Sequence, residues 1–285
     1  RSSARCKRPA GTMTQIQALA RSRTLYMAAG LLLAPLATAE ILLLVELPIA
    51  SAVLHALIVQ LSLGAYLTGE RDAGIFARLP GGAWIEQLLP LLPALALLSI
   101  VRLLSLSLAA DSVSTLVTYA LVGAASIGAA LLTARSLGWS HGDIGLQWST
   151  ETPAGLAQLA ALGILIGALG YIAIDSDALA PTTDDAHALI VAPVIVLFVA
   201  GMEEMVFRGV VQRAGAEVLG ERAWLWSSAA YAAMLLGTAS VASVLVLGLA
   251  GALFGLRAQQ TGSLAGALLA HSLLRITLVL VLPAL

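Results

Sequence analysis

Long runs of Leu, Ala, Val and Ile, broken at short intervals by charged or turn-forming residues, constrain the fold of this chain more than any other feature. A helix needs about 20 predominantly apolar residues to cross a bilayer. Nine windows approach that pattern, at 24–39, 47–67, 85–106, 116–134, 155–174, 188–207, 223–237, 241–256 and 264–282, several of them shorter than a full span. The charged fraction is 11%, against about 25% in an ordinary soluble domain, and 59% of residues are hydrophobic. A transmembrane β-barrel would instead alternate apolar and polar residues in segments of about 10. The sequence therefore predicts an all-α, polytopic integral membrane helix bundle with about 8–9 transmembrane helices.

Lys and Arg collect on the cytoplasmic side of membrane proteins, so their positions orient the spans. Arg71, Arg78, Arg135, Arg208, Arg213, Arg222 and Arg257 follow alternate windows, and the N-terminus is basic, which places these ends inside. Asp111 and the group Asp175, Asp177, Asp184 and Asp185 mark loops without Lys or Arg, which face outward. Residues 1–23 read as a basic leader, 24–187 as N-terminal transmembrane helices and 188–285 as a C-terminal transmembrane core. The leader, the first apolar run and Ala37-Thr38-Ala39 also fit a cleavable signal peptide, and Met13 is an alternative start. The one cysteine, Cys6, lies in the leader, so a disulfide or a Cys-ligated metal is not expected. Gly163–Gly167 and Gly251–Gly255, each Gly-x-x-x-Gly, predict close helix contact.

Ionisable residues inside an apolar helix are costly and are functional candidates by default. The first five windows contain few of them, and the last four carry nearly all the chemistry. VAGMEEMVFRGVVQR, residues 199–213, places Glu203 and Glu204 about one turn before the inner end of the sixth window. Glu204 and Arg208 are i and i+4 and can pair, whereas Glu203 is rotated about 100° away. That leaves Glu203 as a snorkelling acid or as a buried carboxylate able to act as a general base towards water. In the last window LLAHSLLRITL puts His271 and Arg275 on one face. They read either as donors to a developing oxyanion or as partners of the glutamates in an ion pair that holds helices together.

Glu203-Glu204-Met-Val-Phe-Arg208-Gly209 resembles the EExxxR motif of the CPBP intramembrane proteases, the type-2 CAAX prenyl protease and bacteriocin-processing (ABI) family. GALFGLRAQQTGSLAGALLAHSLL, 251–274, is similar to that family's glycine-containing helix, Thr-Gly-Ser turn and final histidine-bearing helix. The resemblance covers about the last third of the chain. It implies that Glu203 activates water for peptide hydrolysis, that Glu204 and Arg208 support it, and that His271 binds or polarises the substrate carbonyl. Two positions depart from the pattern. The middle motif, an aromatic followed four residues later by His, aligns with Tyr231 and Leu235. The final HxxxN or HxxxD reads His271 to Arg275. Leucine cannot bind water, a metal or a proton, while arginine can donate hydrogen bonds, as well as pair with Glu203 and plug the pocket.

Two functions follow from the resemblance: an intramembrane endopeptidase with a site weakened at Leu235 and Arg275, or a catalytically inactive relative serving as a membrane scaffold or peptide-immunity protein. The expected partners are membrane lipids and a peptide or lipid-modified protein substrate, with no nucleic acid. No cofactor is evident, and the metal requirement stays open: there is no HExxH pair and too few histidines lie near the site for a three-ligand zinc centre. The expected location is the cell membrane, multi-pass, with the site near the cytoplasmic face. A small transporter is a rival reading, but the two related halves with paired broken helices that it predicts are not seen.

Overall fold

Long apolar runs in lipid cannot leave backbone N–H and C=O groups unpaired, and helices are the way a continuous segment pairs them internally. The structure, a computed structural model, describes residues 15–72, 75–78, 82–108, 114–147, 151–173, 191–237 and 240–284. The helices are α1 (Gln15–Leu31), α2 (Ala34–Leu44), α3 (Pro48–Arg71), α4 (Gly82–Leu88), α5 (Leu91–Leu108), α6 (Thr115–Ser136) and α7 (Pro153–Ala173). They continue as α8 (191–219), α9 (Ala223–Leu235), α10 (Val241–Thr261) and α11 (Ala265–Val281). No strand occurs among the described residues. Six helical segments are long and apolar enough to cross a membrane, one of them the joined Arg23–Leu44, and α9 and α11 are shorter. The protein is an all-α polytopic membrane bundle.

Local signals set several helix ends. Ser114 and Ser240 cap α6 and α10, their hydroxyls accepting from Val117 N and Ser243 N. Gly262, at φ +67°, ends α10 in the left-handed conformation and sends the chain directly into α11. Ile49, Leu61, Ile172, Val241 and Leu245 point outward, the expected dress of a lipid-facing surface. The core instead gathers around α5, whose Leu91, Leu97 and Leu98 are fully buried. In the N-terminal region α3 packs on α2 and α5; in the C-terminal region α7 packs on α11 and α9 on α10.

Two expectations change. The sixth helix does not end near Phe207, where the apolar run stops, but continues to Leu219, because Gln212 and Ala214 find buried places against neighbouring helices. Glu203 and Glu204 therefore lie near the middle of α8, roughly 20 Å from its last residue at 1.5 Å per residue. Arg208, assigned to an inner helix end, is instead buried inside the bundle. The first span packs into the core: Leu36 and Ala39 are fully buried, and Trp226 Nε1 donates to the Ala29 carbonyl at 2.9 Å.

Two of the basic residues, Arg213 and Arg222, meet the neighbouring helices at one end of the bundle. Arg222 stacks on Tyr26, Arg213 on Trp139, and Leu264 N donates to the Gly145 carbonyl, joining the ends of α1, α6, α8 and α10. Asp111 and the aspartates at 175–185, together with leader residues 1–14, lie outside the described residues.

Candidate active site

The site is built on α8, and α8 is not a regular helix. The α-helical turn Gly201–Glu204 is flanked by π-helical stretches at Ile195–Ala200 and Met205–Val211. Wider turns of this kind are uncommon and often accompany functional sites. Glu204 and Arg208 face each other across the second stretch, with Arg208 Nη1 3.4 Å from Glu204 Oε1 and both side chains about 1% exposed. Arg208 Nη2 donates to the Gly251 carbonyl at 2.8 Å, and its guanidinium lies 5.0 Å from the centre of the Tyr231 ring. Only a glycine permits this approach at 251: a Cβ there would come within 2.7 Å of Tyr231 Cδ1 and 2.9 Å of Arg208 Nη2. One turn on, Gln212 Nε2 donates to the Gly255 carbonyl at 2.9 Å. The Gly251–Gly255 pattern thus seats α10 against α8 and α9.

Glu203 points elsewhere, as its rotation on the helix requires. Tyr231 Oη on α9 donates to its Oε2 at 2.7 Å, and Arg275 Nη2 on α11 donates to its Oε1 at 2.7 Å. His271 Nε2 stands 3.3 Å from Glu203 Oε2, while His271 Nδ1 is 2.7 Å from Glu204 Oε1. Arg275 Nε donates to His271 Nε2 at 3.3 Å. An arginine N–H can only donate, so in this arrangement His271 Nε2 carries a lone pair and the ring proton sits on Nδ1, donated to Glu204. The two glutamates therefore do different work: Glu204 orients the imidazole and Arg208, whereas Glu203 faces Tyr231 and Arg275.

The imidazole is held from behind as well. Its ring centre lies 5.8 Å from that of Phe254, and α11 is pressed onto α7 at Gly163 and Gly167, where an added Cβ would run into the Ala270 and Leu274 carbonyls. Both Gly-x-x-x-Gly patterns thus serve the site. Exposure divides its members: Glu204, Arg208 and His271 are buried, but the side chains of Glu203 and Arg275 retain 14% and 17% of their accessible surface.

Glu203, Glu204, Arg208, His271 and Arg275, spread over 73 positions of sequence on the two helices α8 and α11, are brought into one cluster. Leu235 is not in the hydrogen-bond network; it is half-buried and packs against the core at the end of α9. Tyr231 is the member for which the sequence suggested no chemical role beyond its alignment with a motif aromatic. Its spacing from Leu235 was the available signal. Among the described residues no three His, Cys, Asp or Glu side chains are grouped to hold a metal ion.

Residues 185–277 match the family model described as Rce1-like, type II CAAX prenyl endopeptidase Rce1-like. No curated protein and no solved structure matches the chain. The matched segment is about one third of the 285 residues and takes in every member of the cluster. The motif spacing and this match together identify the C-terminal region, 185–277, as a CPBP-family, Rce1-like segment carried on a polytopic membrane bundle.

Proposed function

We propose that this chain is an intramembrane endopeptidase of the CPBP type, acting on a peptide or lipid-modified protein at the cytoplasmic face of the cell membrane, with Glu203 as the group that activates water. The observation that carries the reading is the convergence on Glu203 of Tyr231, His271 and Arg275 from two other helices, on the partly accessible side of an otherwise buried cluster.

In the resting arrangement Arg275 occupies one oxygen of Glu203 and Tyr231 the other. Water reaches the carboxylate once the Arg275 guanidinium swings aside. Glu203 then takes a proton from the water as its oxygen bonds to the scissile carbonyl carbon, whose π electrons move onto oxygen. When the tetrahedral species collapses, the C–N bond breaks and Glu203 passes the proton to the leaving nitrogen. The oxyanion needs donors in a dry site, and the displaced Arg275 guanidinium and the Tyr231 hydroxyl are at hand. His271 joins them only with its ring proton on Nε2, which requires Arg275 Nε to have left that nitrogen. Leu235 supplies nothing to any of these steps, so the rate is low relative to a site with an imidazole there.

A second reading, a catalytically inactive relative acting as a scaffold or peptide-immunity protein, is favoured by the direct Arg275–Glu203 ion pair. The test is a cleavage assay in liposomes against a panel of membrane peptides, with wild type, Glu203→Ala and the double variant Leu235→His/Arg275→Asn. Cleavage lost in the first variant and raised in the second supports the protease. Equal cleavage by wild type and Glu203→Ala removes Glu203 from the mechanism, and no cleavage even by the double variant favours the inactive relative.

A further inference from the structure

A second cluster of buried charges lies among the N-terminal helices. Arg102 on α5 donates from Nε to Glu40 Oε1 on α2 at 2.7 Å. His55 on α3 places Nε2 3.4 Å from the same oxygen and Nδ1 3.2 Å from Ser99 Oγ on α5. Glu40, His55 and Ser99 are wholly buried and Arg102 nearly so. Ionisable side chains in such surroundings are retained for a reason beyond packing.

The reason is visible in what else Arg102 touches. Its Nη2 donates to the Met234 carbonyl in the last turn of α9, where helix carbonyls lack an intrahelical donor and a cation is favoured by the helix dipole. Just beyond, Gly237 lies so close to Glu40 that a Cβ there would collide with Oε2. The cluster therefore grips the end of α9 with a charge on one side and a carboxylate on the other. One turn before Met234, on the same helix, Tyr231 donates to Glu203. A charge pair that merely joined α2 to α5 would need no contact with α9.

We propose that Glu40, His55 and Arg102 are positioning residues: by holding the C-terminal end of α9 they set the Tyr231 hydroxyl against Glu203. The N-terminal helices are in this way part of the site's support. The consequence for cleavage rests on Glu203 being the water-activating group; the consequence for Tyr231 does not.

The experiment labels the five tyrosines with ¹³C at Cζ, identifies Tyr231 by loss of its resonance in Tyr231→Phe, and follows that resonance in the full chain in lipid nanodiscs. Arg102→Met is read beside Glu40→Gln/Arg102→Met, which removes both charges together, leaves no buried ion unpaired and so keeps a foldable protein. Leu159→Ala, a cavity at a buried position of α7 that faces Gly266 on α11 and touches neither charge cluster, is the control for general loosening. The expected result is a shifted or broadened Tyr231 resonance in both Arg102 variants, near-normal behaviour in Arg102→Lys, and no change in Leu159→Ala. On a cleaved peptide, kcat falls about 10- to 100-fold with KM unchanged, the scale of a small misplacement of a reacting group. An unmoved Tyr231 resonance in the folded double variant overturns the proposal. If wild type cleaves nothing, the protease reading fails on its own and the Tyr231 resonance still decides this one.

Discussion

Among the described residues two buried clusters share the same ingredients, glutamate, histidine and arginine drawn from separate helices, and they differ in how far they are enclosed. Around Glu40 everything is enclosed: the glutamate and His55 have no accessible surface, and Arg102 is committed to a helix carbonyl as well as to the carboxylate. Around Glu203 the enclosure is incomplete, and the paired guanidinium of Arg275 is itself partly accessible. Between them stands Glu204–Arg208, chemically part of the second cluster but as enclosed as the first. A carboxylate that only holds helices has no need of water, and one that activates water must be reachable by it. Exposure, more than residue type, separates the two clusters.

The comparison breaks most readily at Glu203. Glu203→Gln keeps the size of the side chain and removes the base, and is expected to lower cleavage by about 10²–10⁴-fold, whereas Glu40→Gln loses far less. Similar losses in the two variants, measured as kcat on one membrane peptide, would erase the distinction drawn here. Stability should show the reverse asymmetry. Arg102→Met strands Glu40 in the core and is expected to cost about 3–5 kcal/mol, and Glu40→Gln/Arg102→Met much less, because breaking a buried pair is worse than removing it. Equal destabilisation by the single and double variants, followed by denaturation in mixed micelles, would mean that Glu40 is not compensated by Arg102 at all.

Smaller effects sharpen the contrast. Leu235→His/Arg275→Asn should free Glu203 and supply an imidazole, raising cleavage about tenfold or more against the range seen for acid–base partners. A rise with Arg275→Asn alone would put the restraint on the salt bridge and not on the missing histidine. Glycines report the same division. Gly163→Ala drives a methyl into the Ala270 backbone beside His271 and should cost about 1–3 kcal/mol, while Gly64→Ala on lipid-facing α3 meets nothing within 4 Å and should be neutral or mildly stabilising. Equal melting temperatures for the two would show that α7 and α11 can move apart freely.

Much of the C-terminal cluster was legible because its residues lie within short motifs at helical spacing: Glu204 with Arg208, and His271 with Arg275. Apolar windows placed most of the helices for the same reason, that lipid demands length. The N-terminal cluster was not legible. Glu40, His55 and Arg102 are single polar residues on three helices, and nothing in the spacing says that they meet; the only warning was that each interrupts an apolar run. The end of α8 was misplaced because hydropathy reports on lipid, and Gln212 is sheltered by protein. The π-helical stretches around Glu203 have no composition signal at all. Leu235 and Arg275 were seen as departures from a motif, but that Arg275 turns onto Glu203 while Leu235 turns away into packing is a fact of the fold.

The smallest effect lies in the turn between α6 and α7, and it tests whether the charge of Asp143 is independent of both clusters. Ser140 Oγ and Ser140 N donate to Asp143 Oδ2 at 2.6 and 2.8 Å. The hydroxyl above all, then the backbone N–H and the charge of Arg213, hold the Asp143 carboxyl below its ordinary range. A carboxyl with a lowered folded-state pKa stabilises the fold above its unfolded value, about 3.9, and that contribution disappears as pH falls through the folded value. The group is fully exposed, so the effect on stability is slight. In Ser140→Ala the Asp143 midpoint, followed by ¹³Cγ shift, should rise towards the ordinary value while the backbone donor remains. The turn meets α8 at Gly209 and the start of α11 at Leu264, and the Tyr231 resonance is expected to stay still across the same titration because Asp143 makes no bond to any member of the Glu203 cluster. An unchanged midpoint would assign the depression to Arg213, and a Tyr231 shift that tracked Asp143 would tie the turn to the site and end the two-cluster division.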